Sequence, residues 1–164
     1  MDHDEDLADL MATSGARLLR LAYQLCHDRS GAQDLVQEAM MSVMTSWRRR
    51  MPDVSHREAY LRRSVVNEYL RKKRLRSSTE VVTSEVPDPP SAAFDAEVTE
   101  RDRIWRALAT LPSRQRTVLV LRFYEDLSDA AIAELIGARP ATVRSLAARG
   151  IATLRQGQLA EVGP

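Results

Sequence analysis

Cys26 is the only cysteine of the chain, so no disulfide can form within it, and a reducing cytoplasm is its natural setting. It falls on the same apolar face as Leu18, Leu21, Ala22 and Leu25, the place of a small buried hydrophobe rather than a reactive thiol. The histidines at 3, 27 and 56 show no ligand spacing, and one cysteine cannot build a zinc site. No glycine-rich phosphate loop and no nucleophile elbow is present. No catalysis, metal or cofactor is therefore expected. No apolar run approaches the ~20 residues that span a bilayer. The N-terminus is acidic and lacks the basic start of a signal peptide. These absences predict a soluble, cytoplasmic protein without membrane contact. The net charge of +1 excludes a generally basic surface for nucleic acid.

The charge is segregated instead. Residues 1–10 hold five acids and no Lys or Arg; residues 57–76 hold eight Lys or Arg against two acids; residues 77–100 hold six acids and no base. Such blocks suggest local binding faces. Glycine is scarce, strand-like alternation is nearly absent and a 3.6-residue period recurs, which predicts an all-α protein. The first helix covers roughly 10–27. Ser30 and Gln33 form a capping-box pattern for a second helix running to about Arg49, with Leu35, Val36, Ala39, Met40, Val43, Met44 and Trp47 inward. Ser55 and Glu58 repeat that pattern before a third helix ending near Arg76, where Leu61, Val65 and Tyr69 recur every fourth residue. Residues 77–96 are rich in Ser, Thr and acids, and Pro87, Pro89 and Pro90 forbid a continuous helix. Helical pattern returns near Glu97 with Ile104, Trp105 and Leu108. Pro112 starts another helix, whose apolar residues are Val118, Leu119, Leu121 and Phe123. A short polar tail follows Arg155. The expected architecture is two small helical domains: a three- to four-helix bundle over 1–76 and a four-helix domain over 97–164, joined by a flexible acidic linker over 77–96.

The most informative stretch is DAAIAELIGARPATVRSLAA, residues 129–148, which reads as a helix-turn-helix. Ser128 is a good N-cap, and Ile132, Ala133 and Ile136 make an apolar face. Gly137 stops the helix where a left-handed residue is needed, and Pro140 suits the first turn of the next. That second helix turns Val143, Leu146 and Ala147 inward. Its outward residues are Arg139, Ala141, Thr142, Arg144, Ser145 and Ala148. In this motif the second helix enters the major groove of duplex DNA. Arg139, Arg144, Arg149 and Arg155, with no acid among them, favour DNA over an ordinary helical hairpin.

Two further surfaces stand out. On the third helix, Arg71, Lys72, Lys73, Arg74 and Arg76 form a cationic C-terminal end suited to phosphate. Upstream, Asn67 can pair with a base edge, and Tyr60 and Tyr69 offer either stacking faces for unpaired bases or core rings with polar tips. On the second helix, Asp34, Gln37 and Glu38 continue through Met41 and Thr45. This face is acidic and apolar together, a poor match for DNA phosphate and a fit for a basic protein partner; on these residues alone a plain solvated face is the preferred reading.

The string AQDLVQEAMMSVMTSW resembles the core-polymerase-binding helix of bacterial sigma factors. AYLRRSVVNEYLRKKRLR resembles the following helix, which reads the −10 promoter element. LPSRQRTVLVLRFYEDLSDAAIAELIGARPATVRSLAARGIATLR is similar to the domain that reads the −35 element. Their order, their spacing and the lack of a middle domain resemble the compact extracytoplasmic-function (ECF) group of the sigma-70 family, in its actinobacterial, sigma-E-like branch. The resemblance covers nearly all of residues 14–156 except the linker. It implies that Asp34, Gln37, Glu38 and Met41 grip the clamp coiled coil of core RNA polymerase, with a second contact between the flap and the C-terminal domain. Tyr60, Asn67, Arg71, Lys72 and Arg74 would lie near the melted −10 strand, and the loop from Arg50 to Arg57 would capture a flipped-out base. Arg139, Thr142, Arg144, Ser145 and Arg149 would serve the −35 element. The second Arg or Lys common after the serine is replaced by Leu146 and Ala147, and the melting helix is poor in aromatics. An anti-sigma factor is an expected partner, and a monomer or a 1:1 complex with it the expected state.

The rival is a stand-alone helix-turn-helix regulator, with residues 1–76 as a sensor or dimerisation domain. It would bind duplex DNA alone, often as a dimer on a palindrome. A sigma factor would need polymerase and one asymmetric site. About twenty linker residues reach at most ~65–70 Å, comparable with two duplex turns of ~34–36 Å each.

Overall fold

A computed structural model of the protein describes residues 3–47, 49, 56–79 and 100–161. The chain divides into two compact units, residues 1–75 and 76–164. All regular structure among the described residues is helical.

The first unit holds α1 (His3–Cys26), α2 (Arg29–Trp47) and α3 (Arg57–Thr79). Helix α1 starts well before residue 10. Glu5 and Asp6 lie near its start, where carboxylates complement the positive end of the helix dipole. Leu7 is buried, and Asp6 reaches Arg57 at 3.6 Å. The acidic start is thus part of the bundle. His27, at φ 55°, ends α1 in the left-handed region. Asp28 then caps α2: its Oδ2 accepts from the Gly31 N–H at 2.7 Å. The cap is therefore Asp28 and not Ser30, because the turn at His27 presents the carboxylate first. The second capping-box residue, Ser55, lies outside the described residues, and Glu58 pairs with Arg17 of α1 at 2.6 Å.

Leu18, Leu21, Ala22 and Leu25 of α1 meet Leu35, Ala39, Met40 and Val43 of α2 and Leu61, Val65, Val66 and Tyr69 of α3, all buried. Each fully buried Leu contributes roughly 1.5–3 kcal/mol. Met44 departs from the expected inward face and is 58% exposed. The buried stripe of α2 is narrower than its run of apolar residues, and Met44 sits about one-third of a turn past its centre. The side chain of Trp47 is not among those described. Helix α3 runs on through Thr79, into the stretch read as linker, whose remainder lies outside the described residues.

The second unit holds α4 (Glu100–Ala109), α5 (Ser113–Leu119), α6 (Asp129–Ile136) and α7 (Pro140–Glu161). Arg116, almost fully buried, closes the corner between α4 and α5. Its Nε donates to the carbonyl of Leu108 at 3.0 Å, and its Nη2 to those of Ala109 at 2.8 Å and Leu111 at 2.9 Å. The Leu108 carbonyl also accepts the Leu111 N–H at 3.1 Å, and the other two lie past the last intrahelical bonds, where a helix end leaves carbonyls to be satisfied by side chains. Helix α5 continues as a wide π-helical turn over Val120–Tyr124, with Glu125 N–H donating to the Val120 carbonyl. The extra residue in that turn rotates Phe123 outward, so it is 66% exposed rather than part of the core. Arg122 ties the turn to α6 through Asp129 at 2.6 Å. Where the polar tail was expected, α7 continues to Glu161, since Gln156, Gln158, Leu159 and Ala160 are good helix formers.

Candidate nucleic-acid interface

The helix-turn-helix forms as its residues dictate. Ser128 Oγ accepts from the Ala131 N–H at 3.1 Å, and Gly137 ends α6 at φ 68°. Ala133, Ile132 and Leu135 face inward against α7, while Ile136 is half-buried. Val143 and Ala147 are buried and Leu146 is half-buried. Gly150 lets α7 approach α5: a Cβ there would lie 2.9 Å from Leu119 Cδ1. This packing leaves Arg139, Thr142, Arg144, Ser145 and Arg149 exposed, together with Ala141 and Ala148. Among the described residues no acid forms an ion pair with Arg139, Arg144 or Arg149. Their charge is available to a ligand.

On α3 the core face is Leu61, Val65, Val66 and Tyr69. The opposite face carries Asn67, Arg71 and Arg74, all exposed, with Tyr60 half-buried at its start. Arg63, also exposed, lies four residues before Asn67 on the same stripe; the sequence reading left it out although the i, i+4 repeat points to it. Tyr69 is a core ring, 2% exposed, with the Lys73 ammonium 5.8 Å from its centroid. The Tyr60 hydroxyl is 2.9 Å from Ser46 Oγ of α2, which fixes its tip.

Lys72 does not share the outward stripe. It faces α2 and pairs with Glu38 Oε2 at 2.7 Å. One residue of the expected polymerase face is thereby joined to one of the expected DNA face. Arg71 is also engaged, through Nε and Nη2 with both oxygens of Glu68. The hydrogen bonds from Arg71 hold the Glu68 carboxyl below the ordinary carboxylate range, against partial burial that would raise it; the charges of Arg71 and Lys72 add to the lowering. The same contact raises Arg71 and keeps it charged. Glu68 was not singled out in the sequence, though an acid three residues before an arginine on a helix was a visible signal.

On α2, Asp34, Gln37 and Thr45 are exposed, Glu38 is half-buried, and Met41 is 62% exposed. With Met44 this is a surface of two methionines rimmed by acids. Of the loop 50–57, residues 50–55 lie outside the described residues. Among the described residues, no group of three His, Cys, Asp or Glu side chains could hold a metal ion, and no helix is long and apolar enough to cross a membrane.

These surfaces coincide with known sequence families. Sigma-70 region 2 matches residues 10–79, and Sigma-70, region 4 matches residues 101–154. The RNA polymerase sigma-E factor of Streptomyces coelicolor is 32% identical over 151 residues, covering 92% of this chain and 85% of that protein. The ECF RNA polymerase sigma factor SigE of Mycolicibacterium smegmatis is 31% identical over 156 residues, covering 90% of this chain and 59% of that one. Among solved structures, the sigma factor RpoE of Bartonella quintana, crystallised with the anti-sigma factor NepR, shares the fold with a TM-score of 0.66 at 20% identity, over 98% of this chain and 99% of that one. With both regions present in this order, and relatives above 30% identity along most of its length, the chain belongs to the sigma-70 family of transcription-initiation factors, in its extracytoplasmic-function (ECF) group.

Proposed function

We propose that the two units are weak readers of one promoter, held in register by core RNA polymerase. Residues 1–76 bind the clamp coiled coil through Asp34, Gln37, Glu38 and Met41 of α2, and engage the −10 element through Tyr60, Asn67, Arg71 and Arg74, with Lys72 at the border between the two surfaces. Residues 97–164 read the −35 element through Arg139, Thr142, Arg144, Ser145 and Arg149, and meet the polymerase flap. Residues 77–96 tether the two. Each half-site is small, so neither unit binds tightly alone; joining them on a third body raises the effective concentration of the second contact. Unpaired −10 bases captured on α3 make the opened duplex less costly, without ATP.

The observation that carries this reading is the contrast between α7 and α2. One presents exposed arginines without ion-pair partners among the described residues; the other presents acids and exposed methionines, a surface that phosphate repels and a basic protein surface fits. An anti-sigma factor that covers these faces would keep the chain inactive, a reading supported by the family and by the partner of its Bartonella neighbour. The test is run-off transcription on genomic fragments by core polymerase, with and without the chain. Discrete new transcripts from asymmetric sites are expected. Tight, polymerase-independent binding to palindromic duplexes would favour the stand-alone regulator instead.

A further inference from the structure

We infer that Glu68 is a positioning residue, holding the Arg71 guanidinium so that Arg71 reads a base edge rather than a phosphate. This rests on the proposal that α3 meets the −10 element. The side chain of Glu68 is only 13% exposed, on a helix whose outer face is basic. An acid there is unfavourable twice over: its partial burial costs the folded chain solvation, and its charge repels phosphate. A solvent-exposed surface ion pair would need no such burial.

The geometry gives the carboxylate a task. Arg71 Nε lies 3.1 Å from Oε1 and 3.2 Å from Oε2 of Glu68, and Nη2 also donates to Oε1. The Nε side of the guanidinium is thereby occupied. Its outer edge, Nη1 with the second hydrogen of Nη2, has no partner among the described residues, and the side chain is 52% exposed. Two parallel donors on a fixed plane match O6 and N7 of guanine. A phosphate contact requires no such fixed plane. On the α2 side the Lys72 ammonium, paired with Glu38 at 2.7 Å, adds a second positive charge near Glu68. The two acids and two bases of this cluster cancel in charge. The patch therefore adds little to sequence-independent attraction and much to orientation, as supporting hydrogen bonds do for a preorganised site.

The test uses the full chain with core polymerase on a promoter fragment recovered by run-off transcription, with the −10 block randomised, each template carrying its own transcribed tag downstream of the start, and the tags in the transcripts sequenced. Arg71→Ala is expected to lower the base preference at one position about tenfold while leaving the slope of binding against salt unchanged. Glu68→Ala should relax that same position by several-fold, Glu68→Gln by less, and Glu68→Ala with Arg71→Ala by no more than Arg71→Ala alone. Thermal melts of each variant separate unfolding from misplacement: a merely structural role for Glu68 would lower melting temperature and weaken all positions alike. That uniform pattern overturns the inference, as does a preference kept intact in Glu68→Ala but lost in Arg71→Ala. A reduction of the salt slope by about one in Arg71→Ala would mark a phosphate contact and also overturn it. Failure of the unaltered chain to yield any transcript would instead defeat the promoter-reading proposal, and this inference with it.

Discussion

Replacing Arg116 by methionine should cripple the second unit while leaving the first intact. Methionine fills much of the same space, so the loss is mainly that of three charge-assisted hydrogen bonds. Of the three carbonyls, that of Leu111 receives its bond in a fully buried setting, while those of Leu108 and Ala109 are partly reachable by water. An unsatisfied buried carbonyl costs about 1–3 kcal/mol, and each hydrogen bond to a charged group contributes about 1.5–3 kcal/mol when nothing replaces it. Water restores part of the outer two, and the variant no longer buries a guanidinium. The net loss comes to about 3 kcal/mol. The helices of this unit span about sixty residues, 100–161, and a fold of that size has a total stability of only ~3–9 kcal/mol, so the variant would stand near its unfolding threshold. The assay is urea unfolding of the full chain in a Trp47→Phe background, following the fluorescence of Trp105 in α4. A fall below 1 kcal/mol would refute the reasoning that Arg116 seals this corner.

Other outcomes follow from the same geometry. Gly137→Val places a β-branched residue at φ 68° and should lower stability by about 1–2 kcal/mol in a thermal melt, with Gly137→Asn losing less. The lowered Glu68 carboxyl contributes stability that is present above its ordinary value of 4.5 and lost as pH falls through its lower folded value. Acid titration from neutral pH down through and below 4.5 should therefore destabilise the unaltered chain more steeply than Glu68→Gln; equal slopes would contradict the ion pair. Arg144→Ala should leave melting temperature unchanged, since Arg144 is exposed and has no ion-pair partner among the described residues, yet weaken one −35 position by about 1–3 kcal/mol in competition binding. An unchanged preference would remove Arg144 from the reading set.

The parts of this protein that follow from local rules were legible in the sequence. Ser128, Gly137 and Pro140 fix the helix-turn-helix by capping and backbone conformation alone, and the exposure of Arg139, Arg144 and Arg149 follows from the burial of Val143 and Ala147. What escaped depends on partners distant in sequence. The acidic N-terminus reads as a tail until Arg57 is seen beside Asp6. Nothing in the sequence singles out Arg116, which is buried only because the carbonyls of the preceding helix end close around it. Phe123 fits a helical period that the π turn then breaks. Lys72 belongs to the basic run by sequence and to α2 by contact, since only the packing of α3 decides which cation turns inward. Tyr69, whose role periodicity left open, is settled as core by the same packing.

The account stands most directly on association with polymerase. Purified chain should be titrated against core RNA polymerase freed of its own initiation subunit, with binding followed by light scattering or gel filtration. A saturable 1:1 complex, weakened by Met41→Arg on the exposed face of α2, is the expected result. A chain that folds normally yet fails to bind core polymerase would contradict the account at its centre.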